Sequence, residues 1–173
     1  MSKQLHKAMT DILSMPYFKN EHHRSGGVSF GHEEAVALKI KDAGFTEFDK
    51  SQFKKITKGL LKKWAKTGVD TDLRTATTNL PNGSYIVQPA GSQGFPDILV
   101  KDFCGRFVAV ECKSGKNGTC PMWNDNVPKP NAIYILSSGI ANATTLFLGK
   151  DVISQSTYNL MAQQEAEIAA VVK

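Results

Sequence analysis

The sequence lacks several features that mark whole classes of protein. It holds 3 cysteines among 173 residues, and neither a Cys-x-x-Cys pair nor a zinc-finger spacing occurs, so free thiols are expected. No apolar run approaches the roughly 20 residues that are needed to cross a bilayer. The first residues also lack the continuous apolar centre of a signal peptide. We therefore expect a soluble, cytoplasmic protein that makes no contact with a membrane.

Internal repeats and low-complexity linkers are absent from the sequence as well. A chain of 173 residues is long enough to bury a proper hydrophobic core. Its 41% of hydrophobic and 21% of charged residues are close to the averages of globular proteins. We predict a single domain over residues 1–173.

Basic residues are in excess and unevenly distributed. The formal net charge is +5, which is compatible with a polyanionic partner but is shared by many proteins that bind none. Seven lysines fall within the seventeen residues 50–66. This cluster fits attraction to phosphate groups, and it fits equally well the solvated face of an ordinary helix.

Apolar residues at spacings of three and four predict three helices. The first covers residues 32–43 and carries Glu33 on its apolar side, where the carboxylate could simply complement the helix dipole. The second, over 52–66, has one apolar stripe and one lysine-rich side. The third begins at Asp151 and is expected to turn Ile168 towards the core.

Short apolar runs predict the strands. Residues 98–100 and 107–113, joined by a tight turn, form the clearest hairpin, and a short strand is expected at 85–88. Two further strands are predicted at 132–137 and 144–148. Segments rich in Gly, Asn, Thr and Pro are interpreted as loops over 68–83 and 114–131.

The hairpin carries the residues with the clearest chemical meaning. Glu111 and Lys113 are two apart on a strand, so they leave the same face, and antiparallel pairing can bring Asp97 beside Glu111. Converging carboxylates repel each other unless a cation holds them. Mg²⁺ accepts such hard oxygen ligands, and the carbonyl of Cys112 could supply another. Lys113 could then orient a water molecule or neutralise charge on a phosphate.

These residues resemble the PD-(D/E)XK signature of many restriction enzymes and other DNA nucleases. The letters GFPDILV stand at 94–100, and thirteen residues separate Asp97 from Glu111, which is followed by Cys112 and Lys113. The helix that contains Glu33 is similar to the one in which many members carry a further acidic residue near the metal. The strand, loop and strand up to residue 138 resemble those of small type II restriction endonucleases.

The resemblance implies a fold, a cofactor and a division of roles. The fold would be α/β, a mixed sheet flanked by helices with a restriction-endonuclease-like core. Asp97, Glu111 and the backbone carbonyl of Cys112 would ligate Mg²⁺, for which Mn²⁺ could substitute. Lys113 would position or polarise the nucleophile, a metal-activated water that hydrolyses a phosphodiester bond. Glu33 would support the metal or its water shell.

A small chain with long polar loops suits a sequence-specific endonuclease of double-stranded DNA, that is, a type II restriction enzyme. Cutting both strands of a symmetric site calls for a homodimer, and a DNA methyltransferase of the same system is an expected partner. Recognition would come from the lysine-rich helix and the loop after Lys113. The candidate DNA contacts are Lys54, Lys55, Lys58, Lys62, Lys116, Asn117, Asn124 and Lys129.

Two alternatives stay open at this point. A structure-selective or junction-resolving repair nuclease would use the same metal site but would recognise DNA shape. A non-catalytic DNA-binding module could keep the fold, although all three signature side chains are retained here. Discrete fragments from a long duplex, cleavage of branched DNA alone, and binding without cleavage would distinguish the three.

Overall fold

The structure is a computed structural model that describes residues 1–18, 31–53, 58–92, 94–117 and 128–171. Within these residues the chain forms a mixed sheet of six strands. The strands are β1 (Thr46–Glu47), β2 (Ser84–Val87), β3 (Ile98–Lys101), β4 (Phe107–Gly115), β5 (Ala132–Ser138) and β6 (Ala143–Leu148).

Helices flank the sheet, together with a 3₁₀ segment at Lys50–Phe53. The helices of the described residues are α1 (Lys3–Leu13), α2 (His32–Asp42), α3 (Lys58–Thr67), α4 (Thr71–Ala76), α5 (Gly149–Val152) and α6 (Gln155–Val171). In the part of the chain that the structure describes, no helix is both long and apolar enough to cross a membrane.

The strands lie in the sheet in chain order, from β1 to β6. The pairs β1·β2 and β4·β5 are parallel, and the other three neighbouring pairs are antiparallel. The long strand β4 therefore has an antiparallel neighbour on one side and a parallel neighbour on the other. This confirms the predicted class, a mixed sheet flanked by helices.

Successive side chains of a strand point to opposite faces, so the sheet separates two apolar cores. On one face, α1 and α2 pack against residues that include Ile98 and Val110. On the other face, Leu61 and Trp64 of α3 pack with α4 against residues that include Leu99. The basic helix α3 and the helix that carries Glu33 thus lie on opposite faces.

The predicted hairpin is confirmed as β3 and β4, and the three other predicted strands are present as β2, β5 and β6. Two helices were not predicted. Helix α1 buries Leu5 and Ile12, and the spacing of these residues, preceded by the N-cap Ser2, was a usable sign. The prediction of loop throughout 68–83 was wrong because α4 lies within it; this helix buries Leu73 alone, too little to give a periodic pattern.

The C-terminal helix begins later than predicted and packs differently. A short helix, α5, contains Asp151, and the long helix α6 begins only at Gln155. The expectation that Ile168 faces the core was wrong, because its side chain is 64% exposed. Leu160 of the same helix is 57% exposed. The spacing of apolar residues indicated a helix here, but it did not show which face of the helix packs against the rest of the protein.

Candidate active site

The β3–β4 hairpin brings Asp97 next to Glu111. Because Ile98 pairs with Val110, Asp97, the residue before β3, falls opposite Glu111. The N–H of Asp97 donates to Glu111 Oε2 at 3.3 Å, and the N–H of Cys112 donates to Asp97 Oδ2 at 2.7 Å. Each carboxylate is therefore held by a backbone N–H from the opposite side of the hairpin.

Lys113 completes a buried ion pair with Glu111. Its Nζ lies 2.8 Å from Glu111 Oε1, and the two side chains are only 10% and 7% exposed. Both leave the same face of β4 because they are two residues apart. Desolvating two charges costs more than one ion pair readily offsets, so stability alone gives little reason for this arrangement.

Helix α2 presents Glu33 to the same place. Its neighbour Glu34 turns back to accept a hydrogen bond from the N–H of Gly31 at 2.8 Å, which caps the helix. Glu33 Oε2 instead accepts one from Gln88 Nε2 at 3.3 Å. Glu33 Oε1 is buried and has no hydrogen-bond partner among the described residues. A simple dipole-complementing carboxylate would face water, so this burial favours a role at the site.

Asp97, Lys113 and Glu33 border an open cleft of about 260 Å³ between the start of α2 and the end of β4. A cleft of this size admits water, an ion or part of a larger substrate. The lining residues are Gly31, His32, Glu33, Glu34, Asp97, Cys112, Lys113 and Ser114.

Burial makes the carboxylates of the cleft harder to ionise. It raises the pKa of Asp97 to about 6, helped by the charge of Glu33 and opposed by the Cys112 N–H and the Lys113 ammonium. Burial and then the charge of Asp97 raise the pKa of Glu111, and burial is also the main cause of the raised pKa of Glu33. The Lys113 ammonium lowers the pKa of Asp97 and of Glu111, but less than burial raises it. The carboxylates therefore favour a bound proton or cation.

The donor set fits Mg²⁺. No group of three or more His, Cys, Asp or Glu side chains that could hold a metal is found among the described residues, so a closed protein cage such as structural zinc requires is not present there. Mg²⁺ usually takes one or two carboxylates and fills its other positions with water and substrate oxygens. Asp97 and Glu111 could supply that pair, and the buried Oε1 of Glu33 has no hydrogen-bond donor within the described residues. The Cys112 carbonyl as a ligand stays a prediction.

The candidate DNA contacts are scattered. Lys116 and Asn117 are exposed and directly follow β4, at the same end as Lys113. Lys58 is exposed at the start of α3, and Lys62 is half-buried within it. Three further candidates lie outside the described residues: Lys54, Lys55 and Asn124.

Lys129 is the candidate that the structure places elsewhere. Its side chain is 3% exposed, its N–H donates to the hydroxyl of Tyr134 at 2.7 Å, and Gly149 lies tightly against its carbonyl. This burial disfavours the predicted contact of Lys129 with DNA, which stays a prediction. A lysine in a polar, proline-flanked segment gives no sign of such burial.

The second half of helix α3 packs near the starts of β4 and β5. Trp64 packs edge-on against Phe107, the first residue of β4, and Asn131, just before β5, donates to the carbonyl of Ala65 at 3.1 Å. The parallel strands β4 and β5 start at the same end of the sheet, whereas Lys113 lies towards the other end of β4.

Two residues of the site were not assigned from the sequence. Gln88, the residue after β2, contacts Glu33, and Lys50 is near enough for its charge to lower the pKa of Glu33 slightly against the effect of burial. A glutamine after a short strand carries no distinguishing pattern. Lys50 was counted only as part of the lysine cluster, since nothing local links it to α2.

Comparison with known proteins adds no relative. No protein-family model matches the chain, and neither a curated protein nor a solved structure matches it. The resemblance to the nuclease family therefore depends on the motif residues and on the arrangement of the cleft.

Proposed function

We propose that this chain is a Mg²⁺-dependent, sequence-specific endonuclease of double-stranded DNA with a restriction-endonuclease-like core. One observation carries the proposal. Asp97 and Glu111 meet across a hairpin, and the Lys113 ammonium lies 2.8 Å from Glu111; Asp97 and Lys113 border a cleft that Glu33 also borders. Such a cluster is costly in a buried setting, and phosphodiester hydrolysis makes use of each of its members.

Asp97 and Glu111 would hold the Mg²⁺, with the Cys112 carbonyl as a further oxygen and Mn²⁺ as a substitute. When bound, the ion would stabilise negative charge on the phosphate and make water easier to deprotonate. The raised pKa values of both carboxylates support a cation here, because an opposite charge offsets their desolvation.

Lys113 and Glu33 would act on water and phosphate. The ammonium of Lys113 can donate a hydrogen bond to a phosphate oxygen or to the attacking water while Glu111 fixes its position. Glu33 Oε1, which has no hydrogen-bond partner among the described residues, can accept a proton or a hydrogen bond from water. No covalent intermediate with the protein is needed.

Lys58, Lys116 and Asn117 are the described and exposed candidates for contact with DNA, and Lys62 is a partly covered one. Cutting both strands of a symmetric site would require two copies of the chain. The homodimer and a partner methyltransferase are parts of this proposal. Sedimentation of the protein with and without DNA tests whether the homodimer forms.

The test is digestion of unmethylated, phage-sized duplex DNA with Mg²⁺, with EDTA, and with the variant Lys113→Met. We expect discrete fragments that disappear with EDTA and with the variant. Lys41→Met, which removes an exposed ammonium from outside the cleft, is the matched control and should leave the fragments unchanged. Cleavage limited to branched DNA would instead indicate a nuclease that recognises the shape of DNA and not its sequence. A gel shift without any cleavage would leave only a DNA-binding module.

A further inference from the structure

Gln88 has an unusual backbone at the end of β2. Its φ is +50°, in the left-handed region that residues other than glycine rarely adopt. Its carbonyl accepts a hydrogen bond from the N–H of Gly91 at 2.9 Å, so it begins a tight turn. A glycine would meet this conformation without strain. A long side chain therefore stands where the backbone conformation alone would favour glycine.

Those contacts lead to two of the three carboxylate residues. The N–H of Gln88 donates to the carbonyl of Asp97 at 2.6 Å, which ties the end of β2 to the residue before β3. Its side-chain Nε2 donates to Glu33 Oε2 at 3.3 Å. Gln88 is thus a direct link between the acidic residue of α2 and the hairpin that carries the other two.

We propose that Gln88 is a positioning residue that holds Glu33 in the cleft, so that Glu33 Oε1 faces the ion or its water shell. A neutral amide suits this task because it donates a hydrogen bond without adding a positive charge that would compete with a cation. A lysine at the same place would neutralise the carboxylate. The catalytic consequence rests on the proposed function, but the link between Gln88 and Glu33 can be measured without it.

The variants separate the side-chain contact from the backbone strain. Gln88→Met keeps the length of the side chain and loses the amide, whereas Gln88→Gly loses the amide and also relieves the strain. Gln163→Met is the matched control, since Gln163 Nε2 donates to Glu167 Oε1 at 2.8 Å in an exposed pair on α6.

The first measurement is Mn²⁺ binding by calorimetry to the full chain and to Gln88→Met, Gln88→Gly, Glu33→Gln and the double variant Gln88→Met/Glu33→Gln. Residues that orient a metal's surroundings typically contribute about 10-fold or more to its affinity. Because the contact between Gln88 and Glu33 is long, at 3.3 Å, we expect its loss to weaken Mn²⁺ binding about 10-fold. Both Gln88 variants should lose this much, and Gln163→Met should lose nothing. The double variant should bind no more weakly than Glu33→Gln alone, because Gln88 acts through Glu33.

Unfolding by denaturant in EDTA, on the same double-mutant cycle, measures whether the two side chains are coupled at all. Equal Mn²⁺ affinity of Gln88→Met and the natural chain, or losses that add in the double variant, would overturn the inference. A natural chain that binds no Mn²⁺ overturns the proposed function instead. The unfolding free energies of the same variants then test the inference. Coupling between the two substitutions supports the contact of Gln88 with Glu33, and additive effects contradict it.

Discussion

At the scale of single residues, the burial of Asp97 has a cost that depends on pH. The pKa of this carboxyl in the folded chain is about 6, against an ordinary 3.8. Between these values the folded state binds more protons than the unfolded state, so the free energy of unfolding falls as the pH rises through this window. Above it, in the absence of metal, the full cost of the buried carboxylate is present.

Asp97→Asn should therefore stabilise the metal-free chain at pH 7.5 and make little difference at pH 4. The amide removes the charge and can still accept the N–H of Cys112. We expect a gain on the order of 2 kcal/mol at pH 7.5, somewhat less than the full shift would give, because the carboxylates titrate together. Denaturant unfolding in EDTA at the two pH values measures it. An equal difference at both would contradict the assigned cause.

Lys113 makes the second prediction at this scale. Lys113→Met leaves Glu111, which is 7% exposed in its side chain, without its cation, and should lower the free energy of unfolding by roughly 2 to 4 kcal/mol in EDTA at neutral pH. The double variant Glu111→Gln/Lys113→Met should recover most of this loss, because neither charge remains. It should stay inactive on DNA. If the double variant is no more stable than Lys113→Met, the ion pair is not the cause.

At the scale of elements, local patterns were sufficient for five of the six described strands and insufficient for the two-residue strand β1 and for two helices. The tight turn between β3 and β4 determines their register, and through it the meeting of Asp97 with Glu111. Helix α1 does carry an amphipathic pattern, because its buried residues recur at spacings of three and four, with polar residues between them. Nothing in the sequence alone distinguishes the parallel neighbour β5 from an antiparallel one, because that choice depends on contacts between distant segments.

Helix α1 gives a prediction that tests its packing. Ile12 is fully buried against the core beneath α2, so Ile12→Ala should cost about 2 to 4 kcal/mol of unfolding free energy through lost burial and a cavity. Leu13→Ala, at an adjacent position that is 50% exposed, should cost less than about 0.5 kcal/mol. Thermal or denaturant unfolding compares the two. Similar losses in both would mean that α1 does not pack as described.

At the scale of the whole molecule, the placement of the described lysines does not follow from the sequence. The sequence identified the carboxylates and Lys113 because they lie on one hairpin, whose geometry is local. It could not tell that Lys129 is buried or that α3 directs its second half towards the starts of β4 and β5. Those facts depend on how whole helices and strands pack against one another, which a short sequence pattern does not determine.

The position of each lysine predicts its effect on DNA binding. Lys116 follows the end of β4, near the cleft, so Lys116→Gln should reduce the slope of log affinity against log salt by about 1. Lys66→Gln, near the far end of α3, should leave the slope unchanged. Fluorescence anisotropy with a DNA duplex at several salt concentrations, in Ca²⁺ to prevent cleavage, measures both. Equal effects would place the DNA along α3 instead.

The arrangement of the hairpin also bears on how such a chain can diverge. Asp97, Glu111 and Lys113 all fall within one stretch of seventeen consecutive residues, and their spacing is set by the pairing of β3 with β4. Insertions, deletions and substitutions in the other loops leave that spacing intact. The charged cluster can consequently be inherited as one compact block, while the surfaces around it change freely to meet new partners.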